Sequence, residues 1–245
     1  MAISLVVPAV LPSSRADLEE KLRMFARLPT VSRVQIDVVD GKFATLASWP
    51  YFAKATQGTP YPELEAMVQK GEMLPNLDRI EYEIDLMCFD AERAADAWLA
   101  LGATRLTFHA EGVTDLPRFL ASMHTRYGGD FISFGLALNV ASSLALIEPY
   151  LDQIDYVQFM GIATIGRQAQ PFDRRVLEKV RSFHTRHPEI PVQVDGGVSL
   201  ESARELVSLS VSNLVVGSLI TRANDPAALV AQIEAFHIAH GVELY

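Results

Sequence analysis

Eight short apolar runs, each separated from the next by a segment long enough for a helix, constrain this chain more than any other feature. The runs are Ile3–Val7, Val34–Val38, Ile80–Met87, Arg105–His109, Ile132–Leu138, Tyr156–Met160, Val192–Asp195 and Leu214–Val216. Their hydrophobicity is nearly continuous, which marks strands covered on both faces, as in parallel sheets. The segments between them carry helical signals. Leu18, Leu22, Phe25 and Leu28 share one face, and Asp90 stands where it can cap a helix carrying Ala94, Ala95, Trp98 and Leu99. Ser199 can cap the segment through Leu209. Asp225-Pro226 opens a last helix with Leu229, Ile233 and Phe236 facing inward. Strand and helix alternating eight times predict a (β/α)8 TIM barrel, one domain over residues 1–245. An open doubly wound sheet is the runner-up, but no glycine-rich dinucleotide fingerprint follows the first strand, so no organic cofactor is expected.

The stretch 54–79, with Gly58, Pro60, Pro62, Gly71 and Pro75, breaks the rhythm. It reads as an extended loop with a short helix at Glu63–Lys70, inserted between strands two and three. Its apolar residues (Tyr61, Leu64, Met67, Met73, Leu74) suit a lid over a pocket or a contact with a second subunit. Composition excludes other classes. A net charge of −9 without a Lys/Arg cluster argues against nucleic acid. The apolar start, ISLVVPAVL, is too short for a membrane span and lacks a basic leader, so it reads as a first core strand. The single cysteine, Cys88, rules out an internal disulfide and reads as a small buried residue. These features point to a cytoplasmic protein.

In such a barrel the carboxyl ends of the strands form the active face. Two strands end alike: Val-Gln-Ile-Asp at 34–37 and Val-Gln-Val-Asp at 192–195 each deliver an aspartate before a turn. Asp37 and Asp195 at the same depth suit proton exchange α to a carbonyl, one carboxylate removing a proton and the other returning one to the opposite face. Both ionised, they would repel, so a shared proton or a cation is needed between them. Asp40, before Gly41, reads as a turn residue. Gly196-Gly197 and Gly217-Ser218 follow strands seven and eight, where these barrels commonly bind phosphate. His109 and Met160 end strands four and six and are expected against the substrate.

Together these residues make the chain resemble the ribulose-phosphate 3-epimerase family over nearly its whole length. The matching segments are VPAVLPSS, VQIDVVDGKF, EIDLM, LTFHAEG, GLALN, the strand ending at Met160 with QPF after it, VQVDGGV and VVGSLI. The resemblance implies a ribulose-phosphate-binding barrel that interconverts ribulose 5-phosphate and xylulose 5-phosphate through an enediolate. It implies Asp37 and Asp195 as acid and base, usually around a divalent metal, a small phosphorylated sugar as ligand, and often a homo-oligomer. The chain departs from the family where metal-binding histidines are expected, at Gln35 and Asp85. Ala9 replaces a serine, and the loop after strand six is rebuilt as Ala163–Gln168. Gln35, Asp37, Asp85 and Asp195 would form an all-oxygen site that suits Mg or Mn better than Zn or Fe. Without a metal, the carboxylates need protonation or a cation such as Arg167, which is also placed to reach an anionic group of the substrate. An aldolase or decarboxylase on a related sugar phosphate, or a noncatalytic sugar-phosphate-binding barrel, are the alternatives.

Overall fold

A computed structural model describes residues 4–51, 60–129 and 131–239 of the chain. In it the apolar runs pair in sequence order and close on themselves as a parallel barrel. The strands are β1 (Val6–Val10), β2 (Arg33–Val39), β3 (Glu81–Met87), β4 (Arg105–His109), β5 (Ser133–Leu138), β6 (Tyr156–Met160), β7 (Val192–Asp195) and β8 (Asn213–Val216). Around them lie α1 (Arg15–Phe25), α2 (Pro62–Gln69), α3 (Ala91–Ala100), α4 (Leu116–Tyr127), α5 (Arg175–Arg186), α6 (Leu200–Ser208), α7 (Ser218–Thr221) and α8 (Pro226–Ala239). The expected TIM barrel is therefore present. No helix among the described residues is long and apolar enough to cross a membrane.

Local chemistry accounts for most element ends. Ser199 and Ser202 form a reciprocal capping box at the start of α6, and Asp225 Oδ1 accepts from the Ala228 N–H at the start of α8. On α1, Leu18, Leu22 and Phe25 are buried together, as their spacing demands.

Three expectations need correction. β1 lies three residues later than expected, and Ile3 falls outside the described residues. Pro8 does not end the strand. It stands where the pairing passes from β8 (Val6, Val7, Pro8) to β2 (Ala9, Val10). Asp90 does not cap α3 with its side chain; it accepts the Tyr51 hydroxyl at 2.5 Å instead. Between β5 and β6 the chain makes two 3-10 turns, Leu144–Leu146 and Glu148–Gln153, the second opening with Pro149, in place of an α-helix.

In the inserted stretch, residues 54–59 lie outside the described residues. The remainder forms α2 and a turn tied to the barrel wall. The Leu101 carbonyl accepts from the Leu74 N–H, and the Pro75 carbonyl accepts from the Tyr82 hydroxyl. Tyr61, Leu64, Met67 and Leu74 are buried in the main core and none lines the principal cavity, so they do not act as its lid. Met73 alone of that set is exposed.

The inside of the barrel has two unlike sides. From β2 to β7 it is polar, with Gln35, Glu83, Thr107, Tyr156, Gln158 and Gln193 all buried. Across β1 and β8 it holds only a small apolar cluster, Val7, Ala9 and Val215. Gly135 on β5 makes room for the Tyr156 ring: a Cβ there would come within 2.3 Å of it.

Candidate active site

β2 and β3 pair in register so that Asp37 lies beside Asp85, while Asp195 ends β7 opposite Met160 of β6. The two-residue period of each strand turns these carboxylates to the barrel axis. One oxygen from each of Asp37, Asp85 and Asp195 lies within 4.8 Å of the others. Asp85 is fully buried. Asp37 and Asp195 are almost so, and they form part of the cavity wall.

Donors reach this cluster from the same strands. The Gln35 amide nitrogen donates to Asp37 Oδ1 at 2.8 Å and to Asp195 Oδ2 at 3.2 Å. Asp85 accepts the Gln158 amide on Oδ2 at 3.0 Å and pairs with His109 Nε2 through Oδ1 at 3.0 Å. The next polar groups along the barrel continue the network. Gln193 Nε2 lies 2.7 Å from Glu83 Oε1, 2.7 Å from Gln158 Oε1 and 3.2 Å from Gln35 Oε1. Glu83, with no exposed surface, also accepts from Arg105 Nε at 3.1 Å, Thr107 Oγ1 at 2.8 Å and the Tyr156 hydroxyl at 3.2 Å. The Arg105 guanidinium stacks 3.3 Å over the Tyr156 ring.

The electrostatics follow from burial. Loss of solvent, then the charge of Asp85, pushes the Asp37 carboxyl up to about 8, against the opposing hydrogen bond from Gln35. Burial and the charges of Asp37 and Asp85 likewise raise Asp195 well above the ordinary carboxylate range. Asp37 and Asp195 thus behave as a pair that holds a proton near neutrality. Burial alone would discharge His109, but the charge and hydrogen bond of Asp85 outweigh it and raise the imidazole. The cation nearest this cluster is therefore His109. Arg167, expected in that role, reaches Thr45 Oγ1 at 3.4 Å on the exposed side of the cavity.

Above the aspartates opens a cavity of about 490 Å³, in the size range of small-molecule sites. Met160, Arg167, Gly196, Gly197, Gly217 and Ser218 line it, as does Ala9. Gly196 and Gly197 take φ of +100° and +69°, and a Cβ on Gly197 would stand 2.7 Å from the Phe172 backbone. Only glycine fits that turn without strain. His109 does not reach the cavity. It is buried against Asp85 with the Phe43 ring 5.4 Å away. Asp40 closes its turn by accepting the Lys42 and Phe43 N–H groups on Oδ1. Cys88 is buried and its thiol is pushed up by that burial, so it is no nucleophile.

As a set, Asp37, Asp85 and Asp195 could hold a divalent metal ion, since oxygens around an octahedral magnesium lie about 3–4 Å apart and small shifts would close the gap. Gln35 does not join them as an oxygen ligand in this arrangement: its nitrogen faces the carboxylates and its oxygen faces Gln193.

Sequence reasoning missed Glu83, Gln158 and Gln193, and also Arg222, which lines the cavity just after α7. One signal was available. The Val-Gln pair that precedes both aspartates recurs as Val157-Gln158, and Gln158 and Gln193 are register partners.

Comparison with known proteins adds kinship to this geometry. A profile described as the ribulose-phosphate 3 epimerase family matches residues 62–221. A ribulose-phosphate 3-epimerase of Schizosaccharomyces pombe is 24% identical over 92% of this chain and 90% of its own length. One from Mycobacterium bovis is 27% identical over 94% of this chain and 91% of its own length. Among solved structures, KGPDC from Streptococcus mutans in complex with ribose 5-phosphate superposes with a TM-score of 0.65 at 15% identity, covering 98% of this chain and 100% of its own. That last likeness concerns the fold alone.

Proposed function

The chain belongs to the ribulose-phosphate 3-epimerase family, and from that premise we propose that it epimerises a small phosphorylated ketose at the carbon next to the carbonyl. The observation that carries the reading is the buried pair Asp37 and Asp195, facing one cavity from β2 and β7 with their acidities raised together. One member, ionised, removes the α proton. The other, protonated, returns a proton to the opposite face of the enediolate. Holding a single proton between them near neutral pH is the state such an exchange starts from.

The glycine turns at Gly196-Gly197 and Gly217-Ser218 support phosphate binding through backbone N–H groups, with Arg222 and Arg167 supplying positive charge. The similarly folded structure bound to ribose 5-phosphate supports a pentose phosphate as the kind of ligand. Asp37, Asp85 and Asp195 would hold a divalent ion, and an all-oxygen set favours Mg or Mn over Zn or Fe. Such an ion, when bound, supplies Lewis-acid stabilisation of the enediolate oxygens. No lysine is found among the cavity-lining residues described, which speaks against Schiff-base aldolase chemistry.

The test is solvent exchange. Metal-stripped protein with D-ribulose 5-phosphate in D2O is followed by proton NMR, then again with Mg, Mn and Zn added singly. Deuterium at C3 together with xylulose 5-phosphate is expected, strongest with Mg or Mn. Binding of the sugar without exchange under any of these conditions would overturn the epimerase and leave a noncatalytic phosphosugar-binding barrel.

A further inference from the structure

The Val-Gln repeat has a use beyond delivering aspartates. Resting on the two-aspartate reading above, we propose that Gln35 is a positioning residue that holds Asp37 and Asp195 face to face, and that Gln193 and Glu83 lock it in that orientation from within the barrel.

A terminal amide is the one uncharged protein group with two N–H donors on a single atom. Gln35 Nε2 has a carboxylate at the end of each, Asp37 Oδ1 at 2.8 Å and Asp195 Oδ2 at 3.2 Å. One atom thereby fixes the separation and facing of two carboxylates borne by different strands. Among the described residues no other donor reaches either aspartate side chain, so Asp37 Oδ2 and Asp195 Oδ1 stay open for substrate. An imidazole or a hydroxyl at this position would offer one proton, and could serve only one partner at a time.

The orientation is enforced from both ends. Reversing Gln35 would set its oxygen against Asp37 and Asp195, oxygen on oxygen at hydrogen-bond distance. Its inner end is equally determined. Gln193 Nε2 meets three oxygens, those of Glu83, Gln158 and Gln35, and shares its two protons among them. Reversing Gln193 would bring its oxygen 2.7 Å from the Glu83 carboxylate. Glu83 is in turn anchored by Arg105, Thr107 and Tyr156. The order runs Arg105, Glu83, Gln193, Gln35, then both aspartates, each link a donor meeting an acceptor. Buried polar groups behave this way because an unpaired one costs more than a paired one returns. Gln193 makes no hydrogen bond to Asp37 or Asp195 among the described residues, so its effect on them passes through Gln35.

Two measurements on the full chain test this. The first needs no turnover. In the side-chain 15N–1H spectrum the Gln35 pair is identified by its loss in Gln35→Met, a near-isosteric change. Wild-type protein should show both protons exchanging slowly with solvent, and that protection should collapse in Gln193→Met. It should persist when Mg is titrated in. A pair exchanging as freely as a surface glutamine, or one indifferent to Gln193→Met, or one that loses protection on adding Mg, would overturn the proposal. The second is kinetic, with whichever phosphosugar the protein turns over. Folded Gln193→Met should lose about tenfold in kcat with KM within about twofold, the split expected when only the transition-state geometry is disturbed. An unchanged kcat would overturn it. Should Gln193→Met fail to fold, Gln35→Asn, one methylene too short to span both carboxylates, takes its place with the same expected split. If the wild type turns over no phosphosugar, the epimerase reading fails, while the amide spectrum still decides the role of Gln35.

Discussion

The two sides of the barrel interior do opposite jobs. Between β2 and β7 every strand except the glycine-bearing β5 points a polar group inward, and each is held by at least one partner: Gln35, Glu83, Thr107, Tyr156, Gln158 and Gln193 form one connected network. Across β1 and β8 the interior is Val7, Ala9 and Val215, small and without polar side-chain atoms. The polar side builds a floor that fixes where charges stand. The apolar side is short, and with Ala9 and Val215 in the cavity wall beside Gly217 and Ser218 it leaves volume for a ligand. A barrel core is usually packed with branched apolar layers. Here one side gives up that packing for a network whose members are costly to leave unpaired, and in return the carboxylates above it have fixed neighbours.

The sharpest way to break this contrast is chemical. Asp195→Asn should cut turnover by roughly 10²–10⁴-fold, the usual range for a positioned acid or base, while Val215→Ala on the apolar side should leave kcat within a fewfold. Steady-state rates on the two variants decide it, and comparable losses would mean that the cavity, not the aspartate pair, carries the reaction.

Stability gives the next largest effect. Glu83→Ala would leave the Arg105 guanidinium buried without its fully buried carboxylate, a loss of about 3–5 kcal/mol. Val7→Ala removes two methyl groups and should cost about 1–2 kcal/mol. Urea unfolding of both variants checks the ratio. Equal costs would show that the polar floor is no more constrained than the apolar wedge.

A third test uses pH. Asp37 is raised from 3.8 to about 8 in the folded state, so the unfolded chain gives up its proton first. Folded protein then binds more protons across that interval, and stability falls as pH rises from about 4 to about 8. Asp37→Asn removes this penalty. In metal-stripped protein it should be the more stable form by about 2 kcal/mol or more at pH 8, with little difference at pH 4. A gain that does not grow with pH would mean that Asp37 ionises freely. The smallest effect belongs to the open end of the cavity. Arg222→Ala should raise KM for a phosphosugar about tenfold and spare kcat, because its charge would meet phosphate and not the reacting carbon.

Much of this is legible in the residues alone. The eight apolar runs match the strands to within a residue or two everywhere except β1, where a proline inside the strand looks like a terminator. The strand-end aspartates and both glycine turns can be named because a parallel barrel puts all its strand ends on one face. His109 departs from expectation for an instructive reason. A strand-end histidine can face the ligand or pair with a neighbour, and the nearest charge is Asp85, a residue of the adjacent strand. Arg167, expected beside the carboxylates, lies by Thr45 instead, since a loop residue's reach depends on how the loop folds.

The order of residues along this chain determined the strands, the helices, which side chains alternate inward, and that two aspartates end their strands at matching depth. These are local matters of period, propensity and turn chemistry. Tertiary structure alone decided that Gln35 offers its nitrogen to both aspartates, that Gln193 meets Glu83 across the axis, and that His109 is used up on Asp85. Such contacts join strands far apart in sequence, and their geometry depends on the stagger with which the barrel closes. The direction of a buried amide then follows from every donor and acceptor around it at once, which no single strand encodes.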